Sequence, residues 1–255
     1  MSRTTTRVLA PVFAALVLSG CQGQPATLLT DPNEILAAAA TTAASATSVH
    51  VDLTADGTVA LDLLGTGAAT PIDLSDTTLN ADLDLQNAKT RATFSAPGLI
   101  GLAGEVIVAD AVYLKSTLSG PKFRSTPLTG QAEPPLKGLT DLLARTDLAP
   151  AKGADAPCPG GTCYTLTAKL DAADLGGLMG GVALPSELPI PVPDVSTATV
   201  DLTLHIEQRT TRLADASAVL DLGDIGTVTI QATFTKWNES VQIAPPPADQ
   251  VELPG

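Results

Sequence analysis

The stretch "VHVDLTADG", Val49 to Gly57, sets Val49, Val51 and Leu53 against His50, Asp52 and Thr54. That period of two is the signature of a strand with one apolar and one wet face. The same alternation continues in "VALDLLG", with Val59, Leu61 and Leu63, and in "LNADLDLQN", with Leu79, Ala81, Leu83 and Leu85. "TRATFSA" follows, then "EVIVADAVYLKST", whose central "DA" fits a hairpin turn. Clean alternation of this kind points to antiparallel strands packed on one side.

Working outward toward the N-terminus, "PNEILAAAATTAASAT" is Ala-rich and helical. Asp31 suits the N-cap, Pro32 the first helical position and Glu34 the third, and the helix of about four turns ends before Val49. Toward the C-terminus the pattern breaks between Ser119 and Cys158. There "EPPLKGLTDLLART" predicts a short helix over Leu136–Arg145, with Leu139, Leu142 and Leu143 on one side. "YTLTAKL", Tyr164–Leu170, returns to strand, and "DAADLGGLMG" predicts a second short helix capped by Asp171. A Pro-rich bridge, "LPSELPIPVPD", leads to three more strands, "TATVDLTLHIEQ", "ASAVLDLGD" and "GTVTIQATFTKW", the first two joined by a turn at "RTTR". The chain ends in a Pro-rich tail, "APPPADQVELPG", expected to be extended and partly disordered. Few, segregated helices among many strands predict an α+β fold: one large antiparallel sheet covered by helices on a single face.

The first twenty residues are of another kind. Arg3 and Arg7 precede "VLAPVFAALVL", an apolar run too short to span a bilayer as a helix and interrupted by Pro11. "LSGC", Leu18–Cys21, then resembles the bacterial lipobox, whose cysteine is diacylglyceryl-modified and becomes the first residue after cleavage. The expected organisation is a signal peptide (1–20), a tether (21–30), one domain (31–245) and the tail (246–255). Two or three acyl chains hold a protein at a membrane almost permanently. The expected location is therefore the extracytoplasmic face of the cell membrane, lipid-anchored, with the folded part in the periplasm or envelope.

Loss of residues 1–20 removes two arginines and no acid, leaving the chain still more acidic than its formal net charge of −13. That balance disfavours nucleic acid and anionic lipid surfaces as bulk partners, since both would be repelled. In an oxidising compartment Cys158 and Cys163, in "CPGGTC", are expected to close a disulfide across a tight turn. The interior is built from Ala, Val and Leu with few aromatics, which fits room for a ligand and equally a GC-rich genome.

Chemistry is sparse. His50 and His205 fall in the polar register of strands, where solvent-exposed side chains are expected, and no metal-ligand spacing surrounds them. There is no nucleophile elbow, metalloprotease helix, P-loop or dinucleotide fingerprint. The pairs Asp52/Asp56 and Asp82/Asp84 lie at wet strand positions, where carboxylates are ordinarily solvated. No catalytic residue, no metal ligand and no cofactor is assigned.

The lipobox, the capped Ala-rich helix, "VHVDL", "VYLK" at Val112–Lys115 and the ending "FTKWNESVQIAPP", Phe234–Pro246, together resemble the LppX/LprA/LprF/LprG lipoproteins of mycobacteria and other actinobacteria. The resemblance implies a strongly bent, half-barrel sheet similar to LolA and LolB, with helices on the concave face. It implies a non-enzymatic monomer that carries acylated lipids or glycolipids toward the outer envelope. Cargoes of that family are phosphatidylinositol mannosides, lipoarabinomannan, triacylglycerol or phthiocerol-type lipids, in some cases with a major-facilitator exporter as partner. No cavity residue can be matched individually. From the apolar registers alone, Leu61, Leu63, Leu83, Leu85, Ala92, Phe94, Leu202 and Leu204 are the candidate cavity wall, with Leu139, Leu142 and Leu143 as a helical lid. The alternative is a structural or adhesive envelope lipoprotein in which these residues are ordinary core.

Overall fold

The computed structural model describes residues 28–61, 69–128, 134–171 and 198–252. The signal peptide, Cys21, Leu63 and the Pro-rich bridge lie outside them, as does the helix expected after Asp171. Helix α1 (Pro32–Ala44) starts as expected, with Asp31 Oδ1 accepting from the backbone N–H of Asn33 (2.7 Å) and Glu34 (3.3 Å). It leads directly into β1 (Ser48–Leu61), followed by β2 (Thr70–Asp73), β3 (Thr77–Asp84), β4 (Lys89–Ala96), β5 (Leu102–Val108), β6 (Ala111–Ser116) and β7 (Arg124–Pro127). Helix α2 (Lys137–Leu143) comes next. Then follow β8 (Ala151–Lys152), β9 (Ala156–Cys158), β10 (Gly161–Asp171), β11 (Thr199–Glu207), β12 (Leu213–Asp221) and β13 (Gly226–Thr235).

All thirteen described strands belong to one antiparallel sheet. Its main order is β7-β6-β5-β4-β3-β1-β13-β12-β11-β10-β8, with β2 beside β1 and β9 beside β10. The long closure of β1 on β13 pairs His50 with Thr235 and runs through to Val59 with Gly226. The sheet is open, with β7 and β8 at its edges.

It is also strongly bent. Flat, the six inter-strand steps from β4 to β10 would span about 29 Å. Yet Ala92 of β4 and Leu166 of β10 belong to one buried cluster built around Ile35, Leu36 and Ala39 of α1, and a helix is only about 10 Å across. The sheet curls round the helix, and α1 and α2 sit on its concave side. Trp237 closes the end of this core: its ring stacks on Phe234 (centroids 6.1 Å apart) and its Nε1 donates to Leu213 O (3.2 Å).

Four strands escape the sequence reading: β2, β7, β8 and β9. All are short and carry no alternating run long enough to register. The β5–β6 turn is Ala109–Asp110 rather than "DA", a shift of one residue. The segment 241–243, within the ending Phe234–Pro246, is not a strand. It packs, with Ile243 buried, against Ile107 and Phe123. The described part of the tail, residues 246–252, is not simply extended. It makes a 3₁₀ turn at Ala248–Gln250, and Val251 bridges to Phe123, with Phe123 N donating to Gln250 O and Glu252 N to Phe123 O (2.8 Å each).

Candidate functional site

The concave face divides into three parts. At one end the main cluster is fully covered. Of the residues expected to line a cavity, Leu83, Ala92, Leu202 and Leu204 lie there, with Leu142 and Leu143 of α2 buried against them. Leu85 and Leu139 pack against its margin, half-buried. At the opposite end Val59, Ile72 and Val228 form a smaller cluster. Leu61 ends β1, but its side chain lies outside the described residues.

Between and beside these clusters runs a band of apolar side chains that stay only half-buried. Register places Leu53 opposite Leu79 and Ala232, Ala55 opposite Ile230, and Ile230 opposite Ala218. The band continues from Leu79 to Phe94 on β4, then past Gly104 to Val106 and Leu114 on β5 and β6. A Cβ at Gly104 would lie 2.7 Å from Phe94 Cζ, so the missing side chain is what lets the ring rest against β5. Phe94 is therefore the one cavity-wall candidate with a described side chain that lies outside the covered cluster. The band is apolar throughout, with no charged side chain among the residues named.

Polar groups face the convex side. His50 and His205 are not the solvent-exposed side chains expected. Each is half-buried against an aspartate directly across the ladder: His50 Nδ1 lies 2.7 Å from Asp82 Oδ1, and His205 Nδ1 lies 2.6 Å from Asp215 Oδ1. His50 Nε2 also lies 3.4 Å from Asp52 Oδ2. Sequence spacing hid these pairs because the partner stands on the neighbouring strand. Thr165, across from His205 on its other side, makes no hydrogen bond to it, and its Oγ1 has no partner.

Glu105 on β5 holds two cations on the same convex side. Arg91 Nε and Nη2 reach Glu105 Oε1 (2.9 Å each), and Lys115 Nζ lies 3.2 Å from Oε2. Burial alone pushes the Glu105 carboxyl up, but the hydrogen bonds and charges of Arg91 and Lys115 together outweigh it and hold the carboxyl below its ordinary range. Burial, then the Asp110 hydrogen bond, pushes the Tyr113 hydroxyl up.

Cys158 and Cys163 are bonded, clasping the β9–β10 hairpin at the sheet edge. One residue on, the Tyr164 hydroxyl accepts from Leu29 N (2.8 Å), which fixes the entry of the chain into α1. Among the described residues no group of three metal-ligating side chains converges. No described helix is long and apolar enough to cross a membrane.

This arrangement, an open antiparallel sheet curled round two helices, has counterparts among solved structures. The lipoprotein LppX of Mycobacterium tuberculosis superposes with a TM-score of 0.51 at 19% identity, over 84% of this chain and 100% of that one. LprF from Mycobacterium bovis gives 0.51 at 18% identity, over 84% and 96%. The fold is that of LppX and LprF. No family model matches the chain, and no curated protein matches it significantly. Identity this low leaves the fold as what the comparison carries. The fold agrees with the one implied by the sequence resemblance.

Proposed function

We propose that the protein is a member of the LppX/LprF group, acylated at Cys21 and held on the extracytoplasmic face of the membrane. In this reading it carries acylated lipids or glycolipids on its concave face and catalyses no reaction. The observation that carries the proposal is the half-buried apolar band from Ala218 and Ile230 across Leu53 and Leu79 to Phe94 and Val106. Clefts that bind apolar ligands are lined by such side chains with few polar anchors. Removing an alkyl chain from water contributes about 25 cal/mol per Å² buried, so a multi-acyl lipid needs no charged clamp. Phosphatidylinositol mannosides, lipoarabinomannan, triacylglycerol and phthiocerol-type lipids all meet that description. An exporter of the major-facilitator type is the corresponding partner.

A specific observation also favours a structural lipoprotein with a filled core. Leu83, Ala92, Leu142, Leu143, Leu202 and Leu204 are already covered by helix. The two readings separate in one experiment: native mass spectrometry of residues 22–255, which omit the acylated cysteine, purified from an actinobacterial host. The carrier reading expects a multi-acyl lipid at near one per chain. A clean apo mass, with no uptake from envelope lipids, decides for the filled core.

A further inference from the structure

We propose that two adjacent turns, Pro97–Gly101 and Thr117–Gly120, form a rim that docks on a lipid bilayer. This inference rests on the carrier reading, to which it adds the surface where cargo is exchanged. The two turns stand side by side: Thr117 Oγ1 donates to Gly101 O (3.2 Å) and Thr117 N to Ala103 O (2.9 Å). Their tips carry Ile100, 76% exposed, and Leu118, 55% exposed. The other two exposed large apolar residues among those described, Leu28 and Val219, lie elsewhere, one before α1 and one on the convex face of β12.

Ile100 also sits at φ 50. A β-branched residue in the left-handed region is strained, and such strain persists where the surroundings hold it. Thr211 is the other β-branched residue at positive φ among those described, and its side chain is compensated by a hydrogen bond with Thr42 (2.6 Å). Ile100 gains no burial in return. Its neighbour Leu99 turns the other way and packs on the cluster of Val59 and Ile72, anchoring the tip while Ile100 points out.

Charge is the second, independent observation. In a chain of net charge −13, the segments Ser95–Gly104 and Lys115–Leu128 contain no acidic residue and three basic ones, Lys115, Lys122 and Arg124. Lys115 is neutralised by Glu105 and Arg124 by Glu252. Lys122 is exposed and has no ion pair among the described residues. Asp73, whose backbone lies against Gly98, accepts from Ser75 N within its own turn (2.9 Å). Two apolar tips with a free ammonium behind them match the boundary between acyl chains and phosphate headgroups. A rim placed there sets the Phe94–Gly104 side of the apolar band nearest the bilayer.

The test is flotation of residues 22–255, which retain every described helix and strand, with phosphatidylcholine vesicles alone or with one quarter phosphatidylglycerol, at physiological salt. The parent chain should float with both. Ile100→Asp combined with Leu118→Asp should weaken binding at least about tenfold. Aspartate tolerates positive φ, so the fold is retained in this variant. Lys122→Glu should weaken binding to the anionic vesicles by about fivefold or more and leave the neutral ones unaffected. Native mass spectrometry of each variant should find the parental lipid load, which separates loss of docking from loss of carriage. If the parent floats but carries no lipid, docking stands and the carrier reading falls. If the double variant floats like the parent, the rim is not the docking surface. If the parent stays with the aqueous phase and instead forms a dimer that the double variant dissolves, the tips meet a second copy and the proposal is overturned.

Discussion

The two halves of the sheet bury opposite faces. From β10 round to β3, the concave side is the core: Ile206 and Ile35 are wholly inaccessible and Leu166 nearly so, all within the cluster around α1. At the middle of β5 the order inverts, while Ala92 of β4 still belongs to the cluster around α1. On β5 the concave residues Val106 and Val108 are half-exposed, while Ile107, on the convex side, is 1% exposed beneath Phe123 and Ile243. The strands alternate alike in both halves. Alternation decides which side chains share a face, and a cover from elsewhere in the chain decides which face is buried: a helix ahead of the sheet in one half, the C-terminal tail in the other.

The sharpest way to break this comparison is to cut one side chain from each kind of surface. Ile35→Ala removes a fully buried side chain under the bend and should cost about 2–5 kcal/mol in urea unfolding. Leu79→Ala, in the half-buried band, should cost no more than about 1 kcal/mol and should instead lower lipid uptake. Equal costs would mean that the band is core and that the open half of the concave face does not exist.

Much of this was legible beforehand. The cap at Asp31, the helix over α2, the strand faces of β1 and β3, the polar register of His205 on β11 and the Cys158–Cys163 bond all follow from local chemistry. The fold class follows from their order. The short strands did not show because two to four residues display no period, and they are held by neighbours already in place. The inverted half was hidden because Val106, Ile107 and Val108 are apolar in succession, which reads equally well with either face buried. The His–Asp pairs were hidden because a ladder joins residues 10 and 32 apart in sequence. At the candidate site, sequence alternation selected the concave face but not its uncovered part, since Leu83, Leu202 and Leu204 lie in the cluster that α1 fills.

A smaller effect tests the edge of the covered half. The disulfide closes a very short loop, so Cys158→Ser with Cys163→Ser should cost roughly 2 kcal/mol, and reductant should reproduce that loss in the parent. Because Tyr164 follows directly and holds Leu29, amide exchange should quicken in β10 and in the first turn of α1 and stay unchanged in β5 and β6. Faster exchange throughout the sheet would show that the two halves open as one unit and that the comparison describes packing alone.

The smallest expected effect lies in the other half, where no described helix residue joins the buried cluster at Ile107 and the Glu105 pairs tie β4, β5 and β6 together on the convex side. Glu105 is held below its ordinary value of 4.5 in the folded chain, Arg91 and Lys115 outweighing burial. A carboxylate so held contributes stability that is fully present above that ordinary value and is lost as pH falls through the folded one. The parent should therefore lose more stability between pH 6 and pH 3 than Glu105→Gln does. Arg91 is about half exposed, so solvent screening keeps the difference under about 1 kcal/mol. Urea midpoints at the two pH values measure it, and the gap should shrink in high salt as exposed charges are screened. Equal acid losses in parent and variant would assign the cohesion of this half to the tail alone, through Ile243 and Phe123 on Ile107.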